Sequence, residues 1–376
     1  MSENIFKKSD LIAMTKESFQ KQYQRILSKI IEAINWTDGN IVLCFSGGKD
    51  SALLLDMYCE AVCMLGLADK PIIIVYADTT NETSAMRKYV FWFIERCEKK
   101  YGVKIEKYVV RPANKDNFAT VLKDEGIPFI SKMTSSIVRK VTKDLLTNGI
   151  TYQDIKHLHN PTVGCRDKLR EMGLSDTTVL SLTGWSCRMG GFGKEFVLPK
   201  VYMPLLDLYQ QIKIRLTEKC CIILKENPIN SFDFPNMMTG EQALESKMRE
   251  NSWLKNGCNF RFDNGRIRSK PLGSVSLNTI LWAIRYRKIP ICSDYGEIVS
   301  CGENCFKCTK AQRTGCALCG FGIKFEQDRF IRVQETEPAK IKFAFKPLNQ
   351  GGAGYKELCE YTNEYCGFNI QIPKVG

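Results

Sequence analysis

Histidine is scarce in this chain: His157 and His159 are the only two in 376 residues. General acid–base chemistry by imidazole is therefore not expected. The H-x-H pair has the composition of a metal-binding dyad, but it sits in a polar, loop-like stretch that reads better as solvated. No apolar run is long enough to span a bilayer, and the opening MSENIFKKSDLIAM lacks the apolar core of a signal peptide. A cytoplasmic location is the expectation. Internal repeats and low-complexity segments are missing too. Acidic residues are outnumbered, 41 Asp+Glu against 54 Lys+Arg, and the net charge of +13 suits a polyanionic partner, nucleotide or nucleic acid.

The remaining composition is that of a globular protein, 44% hydrophobic and 25% charged, with enough chain for one enlarged domain or two. Seventeen cysteines in a reducing compartment point to metal or redox chemistry before a disulfide scaffold. Cys44, Cys59, Cys63 and Cys97 lie among apolar residues and read as packing, as do Cys187, Cys292 and Cys359.

The rest of the chain is organised around IVLCFSGGKDSALLLDMY, residues 41–58. Ile41 to Phe45 read as a buried strand, Ser46-Gly47-Gly48-Lys49-Asp50-Ser51 as a glycine turn, and Ala52 onward as a helix. That order aims free backbone N–H groups and a positive helix end at an anion. Two glycines admit phosphate oxygens closely, Lys49 adds a point charge, and Asp50 can hold a magnesium ion that bridges phosphates. The spacing is neither that of a Walker loop nor G-x-G-x-x-G.

Before the loop, residues 9–35 have helical apolar spacing with Ser9 as a candidate cap. After it come a strand at 71–77, a helix at 86–101, a strand at 104–110 and a short helix at 117–123. Polar residues from Asp78 to Thr83 end the second strand, where a doubly wound sheet places its ligand crevice. Ile127 to Lys132 read as a loop, followed by a helix to Leu146. Thr177 to Thr183 read as a strand, and Gly184 to Lys194, with Arg188, as a glycine-rich turn. A helix from Thr217 is expected to stop at Pro228, and a glycine turn at Gly240 leads into a helix with Glu245 and Arg249 one turn apart. Pro271-Leu272 precede another helix that ends before Pro290. The alternation predicts an α/β fold, a doubly wound sheet of about five parallel strands with a cysteine-rich C-terminal subdomain. The expected divisions are a helical lead-in at 1–37, a nucleotide-binding domain at 38–290 with an insertion at 127–200, and a Cys-rich region at 291–376.

Ser-Gly-Gly-x-Asp-Ser matches the PP-loop of the ATP-pyrophosphatase superfamily. The resemblance implies an adenine nucleotide alpha hydrolase-like fold, with cleavage between α- and β-phosphates or binding of an adenylylated sulfate. Lys-Cys-Cys-x-x-x-Lys-x-x-Pro at 219–228, followed by Cys316-x-x-Cys319, resembles the assimilatory adenylyl-sulfate reductases. That likeness implies a [4Fe-4S] cluster on Cys220, Cys221, Cys316 and Cys319. Thr239 to Arg249 is similar to the same family's sulfate- or phosphate-facing arginine segment. The chain thus resembles the PAPS reductase-like branch, which includes DNA-phosphorothioation ATP pyrophosphatases. By this resemblance Ser46 to Ser51 and Asp78 bind nucleotide, Asp50 binds Mg²⁺, and Lys49 and Arg249 neutralise charge.

Other thiol arrangements stay open. Cys305-x-x-Cys308 with Cys316-x-x-Cys319 has the makings of a small zinc site. Cys301, Cys305 and Cys308 have radical-SAM spacing without the matching barrel, and Cys258 is a candidate substitute ligand. The sulfite-forming members carry a C-terminal Glu-Cys-Gly-x-His, where this chain has Tyr365-Cys366-Gly367-Phe368-Asn369. The leading expectation is therefore ATP-dependent adenylation or sulfur transfer with an iron–sulfur cluster. Thioredoxin-dependent reduction of adenylyl sulfate or its 3′-phosphate is the alternative, and a non-catalytic nucleotide-binding regulator is a third. Arg261, Arg266, Arg268, Lys270, Arg285, Arg287 and Lys288, interleaved with Phe260, Phe262, Trp282 and Tyr286, suggest DNA or tRNA as the acceptor. A solvated basic helix with core aromatics explains the same pattern.

Overall fold

The computed structural model describes residues 4–113, 115–160, 162–186, 191–193 and 196–375. By internal contacts the chain divides into two compact units, Met1–Pro112 with Glu226–Gly315, and Ala113–Lys225 with Cys316–Gly376.

The first unit is built on a six-stranded sheet. Its spatial order is Ile105–Val110, Ile72–Ala77, Val42–Cys44, Asn236–Thr239, Ile267–Ser269 and Asn259–Arg261. The first five run parallel, and the Asn259–Arg261 edge strand is antiparallel to its neighbour. Val42–Cys44 is central, and the helix Lys49–Met64 that follows it is buried along most of its length. Strands covered on both faces need continuous apolar runs, which is why Ile-Ile-Ile-Val-Tyr-Ala at 72–77 forms one. The parallel order puts the loop at 46–51, Asp78 and Gly240 at the carboxyl ends of three adjacent strands, where α/β sheets bind ligands.

The second unit has its own apolar core, including Phe129, Leu205, Leu206, Phe330, Phe345 and Tyr355. It is mainly helical, with a two-residue parallel pairing of Phe129–Ile130 against Gly320–Phe321 where a loop was expected.

Three other local expectations are corrected. The N-terminal helix is two helices, Lys8–Lys16 and Phe19–Thr37, because the Ser18 hydroxyl accepts the Lys21 N–H and starts the second; Ser9 lies inside the first. Residues 176–183 form a helix, not a strand. Ser175 caps its start, and Gly184, in the left-handed region at φ 77°, closes its end on the Leu180 carbonyl. Those two caps override the β-branched run. Pro228 does not stop the helical run: the π-helical turn Ile222–Glu226 leads straight into Asn227–Asn230, which carries Pro228 in its first turn. Cys187 and Arg188 lie outside the described residues; Trp185–Ser186 and Gly191–Phe192 pair antiparallel. Among the described residues, no helix is long and apolar enough to cross a membrane.

Candidate nucleotide loop and cysteine group

The loop is shaped by its glycines. Gly47 has φ +75°, and a Cβ there would stand 2.6 Å from both Met86 Sδ and Val90 Cγ2, so conformation and space both require glycine. Gly48 is the N-cap of Lys49–Met64. The Ser51 hydroxyl donates to the Gly48 carbonyl at 2.9 Å and lies 3.2 Å from the Ser46 hydroxyl, tying the turn across its base. Gly240 lies against this turn; a Cβ on it would come within 3.3 Å of the Asp50 carbonyl carbon and the Ser51 nitrogen.

Lys49 is buried at the loop, its Nζ 3.1 Å from Asp50 Oδ2. Burial alone would lower the lysine pKa, but the Asp50 carboxylate and the neighbouring Tyr295 and Cys308 outweigh it and raise the pKa. The other Asp50 oxygen accepts from Gln242 Nε2 at 3.2 Å. Tyr295, buried, places its hydroxyl 3.1 Å from the Lys49 backbone nitrogen, and Thr314 donates to that oxygen at 2.6 Å. A phosphate-bridging magnesium needs one or two carboxylates besides phosphate and water oxygens. Asp50 fits that requirement as a single ligand, in competition with Lys49 and Gln242.

Asp78 is buried and holds two guanidiniums, Arg87 at 2.8 Å and Arg111 at 3.0 Å, while accepting the Thr80 N–H. Burial pushes its pKa up, yet these donors leave it below the ordinary carboxylate value. Next to it, Glu82 accepts from the Thr79 hydroxyl at 2.7 Å, and Thr83 donates to Asp294. Arg87, Arg111, Gln242 and Tyr295 are site residues that sequence reasoning did not assign. Arg87 and Arg111 stood in plain view, one at a helix start and one just past a strand end, but nothing local identifies their shared carboxylate.

Arg249 lies in the first turn of Lys247–Asn256 and is held by Glu245 and, at 4.0 Å, by Glu241. Most of the rest of the basic region is also engaged. Arg266 pairs with Asp233, Lys270 with Glu241, and Arg287 with buried Asp56 and with Glu60. Arg261 lies over Trp36 and Arg285 over Phe306. Trp282 and Tyr286 stack on each other with rings 5.0 Å apart. These internal pairings favour the structural explanation of the pattern over a nucleic-acid surface.

In the second unit, Cys220 and Cys221 precede a π-helical turn, Ile222–Glu226, a feature frequent at functional sites. Cys220 carries a raised pKa, from its hydrogen bond with Cys221, its burial and the nearby Cys221, Cys319 and Cys316. Cys221 moves the other way, to about 6, through the Cys220 hydrogen bond and the ammoniums of Lys132 and Lys225. Burial raises the Cys319 thiol, opposed by Arg329, which also donates to the Cys316 carbonyl at 3.1 Å. The four cysteines are electrostatic neighbours in a basic, sequestered setting. Among the described residues, no group of three or more His, Cys, Asp or Glu is already arranged to hold a metal ion.

Cys258 is instead packed in the first unit, accepting the Trp253 Nε1–H at 3.4 Å beside Ser274. Cys301 and Cys305 form a disulfide, which removes Cys305 from a four-thiolate zinc set. Cys59, Cys97, Cys292 and Cys359 are buried as expected of packing. Cys366 is buried too, which pushes its thiol up to about 12. His157 is exposed.

Residues 40–143 match the family model of the phosphoadenosine phosphosulfate reductase domain. This PAPS reductase-like segment contains the glycine loop, its helix and Asp78. A crystal structure of phosphoadenylyl-sulfate (PAPS) reductase from Candida auris, a phosphate complex, aligns over 77% of this chain and 92% of that one, at 9% identity and a TM-score of 0.32. No curated protein matches the chain.

Proposed function

We propose that the chain is an enzyme that binds an adenine nucleotide activated at its α-phosphate, either ATP or an adenylylated sulfate, at residues 46–51. The observation that carries this reading is the glycine turn entering Lys49–Met64 inside the PAPS reductase-like segment. Backbone N–H groups of the loop and the Lys49 ammonium bind the phosphate oxygens, where fixed donors stabilise charge at no reorganisation cost. With ATP, Asp50 would hold Mg²⁺, which would supply neutralisation of phosphate charge. Asp78, held by Arg87 and Arg111, borders the nucleotide at the neighbouring strand end. Arg249 reaches an anion only if its carboxylate partners yield it.

Cys220, Cys221, Cys316 and Cys319 are the residues that would hold a [4Fe-4S] cluster, with Lys132, Lys225 and Arg329 offsetting its negative charge. Such a cluster supplies electrons or a sulfur-binding iron. ATP-dependent adenylation or sulfur transfer is favoured over sulfite formation by one observation. The tail cysteine nearest to the pattern of a reductase nucleophile, Cys366, is buried with a raised pKa, the opposite of an activated thiolate.

Titration calorimetry with ATP, adenylyl sulfate and its 3′-phosphate tests binding, with pyrophosphate and sulfite release assayed alongside. Pyrophosphate release supports the transfer reading; sulfite release with a thioredoxin hands the function to reduction. No binding of any of the three overturns the proposal. Iron, sulfide and zinc analysis of anaerobically purified protein decides the metal: four iron and four sulfide per chain are expected, and stoichiometric zinc without sulfide rejects the cluster.

A further inference from the structure

The Cys301–Cys305 disulfide lies at the tip of an antiparallel hairpin formed by Ile298–Gly302 and Cys305–Cys308. Cys301 and the intervening Gly302, Glu303 and Asn304 are exposed, so the bond is open to solvent. A bridge four positions apart closes so short a loop that it constrains the unfolded chain least. Global stapling is thus a weak reason for it. An exposed disulfide is also the kind that exchanges readily with thiols.

The hairpin's feet lead to the phosphate loop. Thr309 donates to the Glu297 carbonyl at 2.9 Å, Lys310 to the Tyr295 carbonyl at 3.1 Å and Ala311 to the Asp294 carbonyl at 3.2 Å. A few residues on, Thr314 bonds the Tyr295 hydroxyl, and that hydroxyl takes the Lys49 N–H. Gly296 sits between the two strands' feet at φ +67°, with only 2.2 Å between a would-be Cβ and the Thr309 hydroxyl oxygen. The foot is closely packed, and close packing passes strain from one element to the next. Cys308, on the same return strand, is close enough to Lys49 to act on its charge.

We propose that Cys301 and Cys305 are an exchangeable redox pair, attacked by a dithiol protein reductant, and that their reduction loosens Tyr295 from the Lys49 N–H. The reductant's thiolate attacks the sulfur of exposed Cys301, breaking the S–S bond and releasing Cys305 as the leaving thiolate. The reductant's second thiol resolves the mixed disulfide. The pair gains two electrons and two protons, and the reductant ends as a disulfide.

The test uses the full chain in oxidised and reduced forms, with thioredoxin as the protein reductant and dithiothreitol as the small-molecule arm. Differential alkylation and peptide mass spectrometry should find Cys301 and Cys305 blocked before thioredoxin and labelled after it. Amide hydrogen exchange over 46–51 and 293–314 should quicken several-fold on reduction, a readout that does not depend on any nucleotide binding. The double variant C301S/C305S should exchange like the reduced protein whatever the redox state; if it fails to fold, the two forms of the native chain still decide. Full labelling before reduction, a bond that thioredoxin leaves intact, or identical exchange at 46–51 in both states would overturn the proposal.

Discussion

The hydroxyl oxygen of Tyr295 accepts the backbone N–H of Lys49 at 3.1 Å, across 246 residues of sequence. It therefore holds one of the donors that a phosphate oxygen would take at the start of Lys49–Met64. Ligand binding exchanges one acceptor for another at that nitrogen. Tyr295→Phe removes the internal competitor and also strands the Thr314 hydroxyl. With a net hydrogen bond worth about 0.5–1.5 kcal/mol, nucleotide affinity should rise roughly two- to tenfold while stability falls by about 1 kcal/mol. Calorimetric titration of the variant checks this. Weaker binding would mean that the hydroxyl touches the ligand itself.

Gly47→Ala probes the loop's shape. The new methyl would enter at 2.6 Å from Met86 and Val90 in a left-handed backbone, so strain adds to overpacking. Thermal unfolding should show a loss of at least about 1–3 kcal/mol, and nucleotide binding should disappear even where the variant remains folded. Retained affinity would place the phosphate elsewhere.

Half of the sheet was legible in sequence because parallel strands covered on both faces must be unbroken apolar runs, and 41–45 and 71–77 are such runs; the short strands Asn236–Thr239, Asn259–Arg261 and Ile267–Ser269 were not read. The loop was legible for a similar reason: a turn with φ +75° against a packed helix admits only glycine. Partners distant in sequence were not. Nothing around Tyr295 announces that its hydroxyl meets Lys49, and nothing near Arg111 reveals Asp78. Local capping also defeated propensity at 176–183, where Ser175 and Gly184 make a helix of a β-branched stretch. Equally hidden was the pairing of Ala113–Lys225 with Cys316–Gly376 in one compact unit, since it depends on contacts among discontinuous segments.

Arg287 shows why a basic cluster in sequence is a poor guide to a nucleic-acid surface. Its guanidinium donates to Asp56 at 2.6 Å, to Glu60 at 2.7 Å and to the Tyr101 hydroxyl at 2.8 Å, with Asp56 fully buried. Arg287→Ala leaves that carboxylate short of its main partner, with Lys100 remaining at 2.8 Å. Breaking a buried pair costs about 3–5 kcal/mol, so chemical denaturation should show a loss of that order. The salt dependence of any DNA or tRNA binding should be unchanged. A lower salt slope without lost stability would instead make Arg287 a phosphate contact.

Asp78→Asn separates charge from shape at the second strand end. Its folded pKa lies below the ordinary carboxylate value: burial opposes ionisation, but the Thr80 N–H and the Arg111 and Arg87 guanidiniums prevail. A depressed pKa means that the ionised carboxylate stabilises the fold above the unfolded value of about 3.9, and that this contribution fades as pH falls through the lower folded value. Arg87 and Arg111 side chains are 45% and 68% exposed, so solvent screens the pairs and limits the loss to about 1–2 kcal/mol at pH 7. The native chain should therefore exceed Asp78→Asn in stability at neutral pH, and the gap should shrink below about pH 4. Urea unfolding of both proteins at pH 7, 5 and 3.5, as chosen settings on either side of that value, measures it. A gap that stays constant down to the lowest pH would assign the loss to altered hydrogen bonding, with no part for the carboxylate's charge.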